Sequence, residues 1–220
     1  MNALSRPISR FAAIGDIHAE DTILSAAIDA LTHLDVEVVL ATGDLANGRG
    51  SLDRCCEQLQ QRDIMVVAGN HDRWLLTPPS GRRMPEQQVS IETRQFIAGL
   101  PRVREFSTIA GDLLLCHGLG DDDLSGVWPH HDTSDLETNM ALQALLQRAA
   151  HRFVVNGHTH EFMVRQFPGL TIINAGTIRH DESPGFVVVD LAVGRVWRHL
   201  ADDAGRFCQV VEVELPRDAT

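Results

Sequence analysis

The chain has 220 residues, of which 44% are hydrophobic and 22% charged, with a formal net charge of −11. That balance belongs to a globular protein and argues against a disordered or membrane-embedded one, since no apolar run approaches the ~20 residues that span a bilayer. The acidic balance argues against a nucleic-acid scaffold, which needs clustered Lys and Arg, but leaves open a phosphate-bearing substrate held through bound cations.

Met1 to Arg10 lacks the apolar core of a signal peptide, so a cytoplasmic location is the expectation. Phe11 to Ile14 then forms a strand-like run leading into Gly15-Asp16-Ile17-His18. Ile23, Leu24, Ala27, Ile28, Leu31 and Leu34 make one helix face. A second strand, Val36 to Ala41, leads into Gly43-Asp44, and Leu52, Cys55, Cys56 and Leu59 make a second helix face. Ile64 to Ala68 leads into Gly69-Asn70-His71-Asp72, and Leu113 to Cys116 into His117-Gly118.

A third helix is expected from Ser134, with Glu137 three residues on as in a capping box and Leu136, Met140 and Leu145 facing inward. Phe153 to Val155 leads into Gly157-His158-Thr159-His160. The last third reads as two hairpins, Phe162–Phe167 with Leu170–Asn174 and Phe186–Leu191 with Arg195–Leu200, followed by a strand from Val210 to Leu215. Strands alternating with helices and then hairpins predict an α/β fold of two mixed sheets packed face to face, helices outside, in one domain over 1–220. Cys55, Cys56, Cys116 and Cys208 have no spacing of a disulfide framework or zinc site and read as buried, reduced thiols.

Five strand ends carry Asp, Asn or His, where ligands of open α/β sheets collect. In extended backbone the pairs Asp16/His18 and His158/His160 each place two side chains on one side, so each pair can grip one ion. Asp44 offers two oxygens and can bridge two ions; Asn70 offers a carbonyl oxygen and His117 an imidazole nitrogen. Such N/O sets suit Mn, Fe, Zn, Co or Ni better than Ca or Mg. Glycines 15, 43, 69, 118 and 157 flank these residues, as sharp turns beside a crowded site require.

In this order the motifs resemble the calcineurin-like metallophosphoesterase superfamily over Ala12 to Thr177. The resemblance implies a four-layer α/β/β/α sandwich and a hydrolase of phosphoester bonds, a phosphodiesterase or phosphatase acting on a small-molecule or nucleotide phosphate. It implies two divalent transition-metal ions, manganese foremost. One is held by Asp16, His18, Asp44 and His160, the other by Asp44, Asn70, His117 and His158, with Asp44 shared. His71 is then the proton donor to the leaving group, and Asp72 orients it. The string Asn174-Ala175-Gly176-Thr177 is similar to the Asn-Pro-Gly-Ser of the small bacterial and archaeal phosphodiesterase branch, and the chain has no tyrosine for the purple acid phosphatase ligand.

His33, His151 and His199 read as surface or core residues, whereas His130, His131 and His180 are open to substrate contact. Asp121-Asp122-Asp123 reads as a solvated loop. Arg49, Arg73 and Arg179 follow motif residues and serve either a phosphate or the surface. Two rival functions are a catalytically silent interaction module of the same fold and a structure-specific nuclease. The complete set of motif residues disfavours the first, and the missing basic groove the second.

Overall fold

The computed structural model describes residues 6–81 and 88–215; the remainder of the Met1–Arg10 segment and of the expected 1–220 domain lies outside the described residues. In chain order the elements begin β1 (Arg10–Ile14), α1 (Asp21–Leu31), β2 (Val38–Ala41), α2 (Leu52–Gln61), β3 (Met65–Val66) and α3 (Asn70–Leu76). They continue α4 (Ile91–Ala98), β4 (Val103–Thr108), β5 (Gly111–Cys116), α5 (Thr133–Thr138), α6 (Met140–Arg148) and β6 (Phe153–Asn156). The chain then runs through β7 (Met163–Phe167), β8 (Leu170–Asn174), β9 (Gly185–Asp190), β10 (Arg195–Ala201) and β11 (Phe207–Glu214).

These strands form two mixed sheets, a six-stranded one ordered β11-β10-β9-β1-β2-β3 and a five-stranded one ordered β4-β5-β6-β8-β7. In the first, β1, β2 and β3 are parallel and β9 returns antiparallel beside β1. In the second, β5, β6 and β8 are parallel, flanked by antiparallel β4 and β7.

Alternation along each central strand builds the layers. Phe11 and Ala13 of β1 meet Leu113, Leu115, Phe153 and Val155 in a core between the sheets. Ala12 and Ile14 point the other way, into a core with Leu24, Ala27 and Ile28 of α1 and Cys55, Cys56 and Leu59 of α2. On the far side, Leu114, Cys116, Val154 and Ile172 pack against Leu142 of α6. A strand buried on both faces reads as an unbroken apolar run, as the sequence had it. The result is a four-layer α/β/β/α sandwich in which the carboxyl ends of six parallel strands converge, bridged where Asp16 pairs with Thr177.

Several expectations are corrected. The third helix is two short ones. Asp132, not Ser134, caps α5, by accepting from Asp135 N, and Asn139 ends it while capping α6 through Leu142 N. That break rotates the inward face: Leu142 is fully buried and Met140 is 79% exposed. Elements α4 and β4 were not foreseen. Cys208 is exposed, because β11 is an edge strand with one face uncovered; Cys55, Cys56 and Cys116 are buried and free. Asp123 is buried rather than solvated, gripped by both Nε and Nη2 of Arg73. No helix among the described residues is long and apolar enough to cross a membrane.

The α5–α6 break makes a quantitative prediction. Leu142→Ala should destabilise the fold by about 2–5 kcal/mol, whereas Met140→Ala should stay within about 0.5 kcal/mol of wild type. Urea unfolding of the two variants measures the difference.

Candidate metal centre

The residues expected to carry chemistry are brought together from five separate strand ends. Asp16, His18, Asp44, Asn70 and His117 are at most 2% exposed, and His158 and His160 close the site at its rim. Asp16, His18 and His160 each direct a donor atom into one cluster, the three atoms lying within 4.8 Å of one another. Asp44 and His117 form a second cluster with Asp16 on the same criterion. The Asn70 side-chain amide extends it, its inward end 3.0 Å from His117 Nε2 and 3.1 Å from His158 Nδ1. Asp44 Oδ2 lies between the two halves, 3.8 Å from His18 Nε2 and 3.4 Å from His117 Nε2.

Local backbone explains why these groups converge. His18, Asp44, His158 and His160 have φ of 45°, 47°, 69° and 61°, the left-handed region, which costs non-glycine residues about 1–3 kcal/mol each. The extended-strand reading of His158 and His160 is thereby corrected: the two rings separate, His160 Nε2 reaching His18 Nε2 at 3.1 Å and His158 facing His117. Gly157 must be glycine, because a Cβ there would lie 2.4 Å from both Asp16 Oδ2 and Thr42 Oγ1. The adjacent His158 N–H donates to the same Asp16 oxygen at 2.9 Å.

Second contacts orient the rings. His18 Nδ1 faces Ala46 O at 3.1 Å and His117 Nδ1 faces Thr42 O at 2.9 Å, so each donates there and turns Nε2 inward. His160 Nδ1 does the same toward Glu182 Oε1 at 2.9 Å. Burial lowers the His18 pKa to about 4, keeping that ring neutral. Burial opposes charge on His117 too, but the Asp44 and Asp16 carboxylates outweigh it and raise the ring to about 10. Asp44 is correspondingly held well below the usual carboxylate range, despite its burial, by His117, His71 and His18. Asp16 is pushed up to about 6 by burial, with Asp44 adding to the rise. Two buried carboxylates thus share the positive charge of one imidazolium, which stands where a cation would bind. The donor set of carboxylates, imidazoles and one amide oxygen fits divalent transition metals.

His71 stands beside this cluster, its Nε2 4.0 Å from Asp44 Oδ2 and its ring edge-on to Trp74 with centroids 4.8 Å apart. The Asn47 side-chain nitrogen is 2.9 Å from His71 Nδ1, so Nδ1 accepts and the ring proton sits on Nε2, on the cluster side. Asp72 does not take the orienting role expected of it. Its carboxylate accepts from the backbone N–H groups of Leu45, Ala46 and Gly69, fastening the Asp44 loop to the start of α3. Burial and the neighbouring Asp44 raise its pKa to about 7.

Sequence reasoning gave no role to Asn47 or Glu182. Trp128 was also missed; it lies 6.3 Å from His158 and 5.0 Å from His131, ring to ring, and brings the 120–132 loop to the rim. Of the three arginines left open, Arg73 pairs with Asp123, Arg179 pairs with Asp181 and Glu182, and exposed Arg49 meets His180 Nε2 at 3.3 Å.

The sandwich and its strand-end cluster define a class: an α/β/β/α protein with a mixed carboxylate, imidazole and amide donor set able to hold divalent cations. The chain belongs to the calcineurin-like phosphoesterase superfamily, whose domain profile matches residues 10–194. No curated protein matches it in sequence. Among solved structures, a metallophosphoesterase from Sphaerobacter thermophilus is 20% identical with a TM-score of 0.62, covering 90% of this chain and 89% of that one. Vps29 complexed with Zn2+ from Entamoeba histolytica is 18% identical with a TM-score of 0.60, covering 94% and 99%. A structure described as a novel archaeal phosphodiesterase is 17% identical with a TM-score of 0.57, covering 87% and 99%. At these identities the likeness is one of fold.

Cation binding at this cluster should release protons. With His117 protonated up to about pH 10, a cation approaching Nε2 must displace its proton, so affinity should rise with pH by about tenfold per unit for each proton released. Calorimetric titration of Mn2+ in buffers of different ionisation enthalpy measures the release. A binding heat independent of buffer would contradict it.

Proposed function

We propose that this protein is a dinuclear metal-dependent phosphoesterase, a phosphodiesterase or phosphatase acting on a small-molecule or nucleotide phosphate in the cytoplasm. One observation carries the reading: Asp44 Oδ2 sits between two sets of inward-facing donors, in reach of both His18 and His117. Asp16, His18, Asp44 and His160 would hold one ion and Asp44, Asn70, His117 and His158 the other. Manganese is the first choice, with Fe, Zn, Ni or Co open to the same donors. Such ions activate water and neutralise phosphoryl oxygens.

The chain's own residues supply the rest. Asp44 is fixed by the His71 N–H, which donates to its Oδ1 at 2.8 Å, so the carboxylate and His71 are positioned together. His71 Nε2–H, directed by Asn47, is placed to protonate a departing alkoxide. Buried free thiols at positions 55, 56 and 116 support the cytoplasmic setting, and the core shared by both sheets supports a single domain over 1–220. The rival reading, a catalytically silent interaction module, would need neither the complete donor set nor the Asn47–His71 contact.

Asp44→Asn should weaken both ions and abolish hydrolysis, because a neutral amide removes charge that both cations feel; Asn70→Ala should weaken mainly one. Metal stoichiometry by elemental analysis, alongside hydrolysis of bis(p-nitrophenyl) phosphate and p-nitrophenyl phosphate, distinguishes them. A wild-type protein saturated with Mn2+ that hydrolyses neither ester, nor a dinucleoside polyphosphate, would favour the silent module.

His71→Ala should retain both metals and lower kcat by about 10²–10⁴. The loss should be greater for alkyl esters than for p-nitrophenyl esters, since p-nitrophenolate departs without a proton. Equal losses on both substrates would reassign His71 to stabilising charge on phosphorus.

A further inference from the structure

The oriented imidazoles differ in what holds them. His18 and His117 donate Nδ1–H to neutral backbone carbonyls, Ala46 O and Thr42 O, deep in the protein. His160 instead meets a carboxylate, with Glu182 Oε1 at 2.9 Å and Oε2 at 3.1 Å from its Nδ1. It also lies on the open side of the cluster, its side chain 22% exposed where that of His117 is fully covered. Glu182 is itself fixed by Arg179, whose Nε lies 3.3 Å from Oε1.

The segment that delivers Glu182 also holds a second donor of the same half-site. Thr177 Oγ1 donates to the Asp16 backbone carbonyl at 2.8 Å, and Ile178 N donates to that carbonyl at 3.2 Å. Thr177 Oγ1 then accepts from Arg179 N at 3.1 Å, joining the Asp16 attachment to the Arg179–Glu182 pair within six residues of chain. Asp16 and His160, the two donors grouped with His18, are therefore both positioned by residues 177–182. Among the described contacts, none ties this segment to Asn70, His117 or His158.

We infer that Glu182 is a positioning residue for one half-site alone: it fixes the His160 tautomer, strengthens that nitrogen as a donor, and sets the affinity of the Asp16/His18/His160 ion without altering the other. A carboxylate behind a ligating imidazole makes the inward nitrogen more basic, and loss of such partners typically costs about 10–100-fold in metal affinity. At the open half-site the ring lacks the surrounding protein that immobilises His117, so this contact carries more of the orientation. The inference rests on the two-ion reading proposed above.

The test is Mn2+ binding to the intact chain by calorimetry and equilibrium dialysis, with no activity required. Glu182→Ala should weaken one of two sites by about 10–100-fold and leave the other unchanged. Glu182→Gln keeps an oxygen to accept from Nδ1–H but loses the charge, so it should recover part of that affinity. Glu182 is a surface residue, and both variants should unfold at the wild-type urea midpoint. His160→Ala is the reference: it should remove the same site. If His160→Ala removes a site while Glu182→Ala leaves both affinities intact, or weakens both equally, the positioning role is overturned and the two-ion reading stands. If wild type binds fewer than two ions and His160→Ala changes nothing, the two-ion reading itself falls.

Discussion

Asp16 and Asp44 are almost wholly removed from water, at 0% and 2% exposure, and their oxygens approach the same imidazole, His117. Two like charges in a medium of low dielectric constant need positive charge between them. The two carboxylates raise His117 to about 10, so its ring carries that charge, and the rise of Asp16 to about 6 reports the compensation that remains incomplete. Much of the surrounding architecture serves this arrangement. Glycine at 157 lets backbone reach the Asp16 carboxylate, the buried Asp72 ties the Asp44 loop to α3, and carbonyls of Thr42 and Ala46 hold the His117 and His18 rings with Nε2 turned inward.

Keeping those groups in place is costly. Four left-handed non-glycine residues at the cluster oppose folding by several kcal/mol together, on the scale of about 1–3 kcal/mol each. The offset comes from elsewhere: β1, β2, β5 and β6 are buried on both faces, which gives the loops a rigid base. The sandwich is thus both the source of stability and the reason six loop ends meet at one place.

Charge around the site follows a related logic. The arginines nearest the motifs are mostly committed to carboxylates, Arg73 to Asp123 and Arg179 to Asp181 and Glu182. In a chain of net charge −11, attraction for an anionic substrate would therefore come mainly from cations in the cluster, with exposed Arg49 beside His180 as a secondary contributor. The two halves of the cluster also differ in setting. The His117 half is enclosed by protein, whereas the His160 half opens to solvent and is attached to residues 177–182.

Sequence by itself determined the strands buried on both faces, because side-chain alternation leaves such strands uniformly apolar, and it determined the strand-end positions of the donors, because each follows a strand-like run beside a glycine. It put the cap of one third helix at Ser134, whereas Asp132 and Asn139, equally able to accept from a backbone N–H, cap two short helices, and Leu142 is the residue buried. Sequence could not show α4, whose apolar residues are too few to declare a face, or the exposure of Cys208, which depends on β11 being an edge. At the site, spacing placed His158 and His160 on one side only if the backbone was extended, and tertiary contacts hold both at positive φ instead. Asn47 facing His71, Asp72 turned to backbone amides, and Glu182 behind His160 were likewise decided by the tertiary structure. Periodicity reports how neighbouring side chains share a face, but the sign of a φ angle and the partner of a polar group are fixed by atoms remote in sequence.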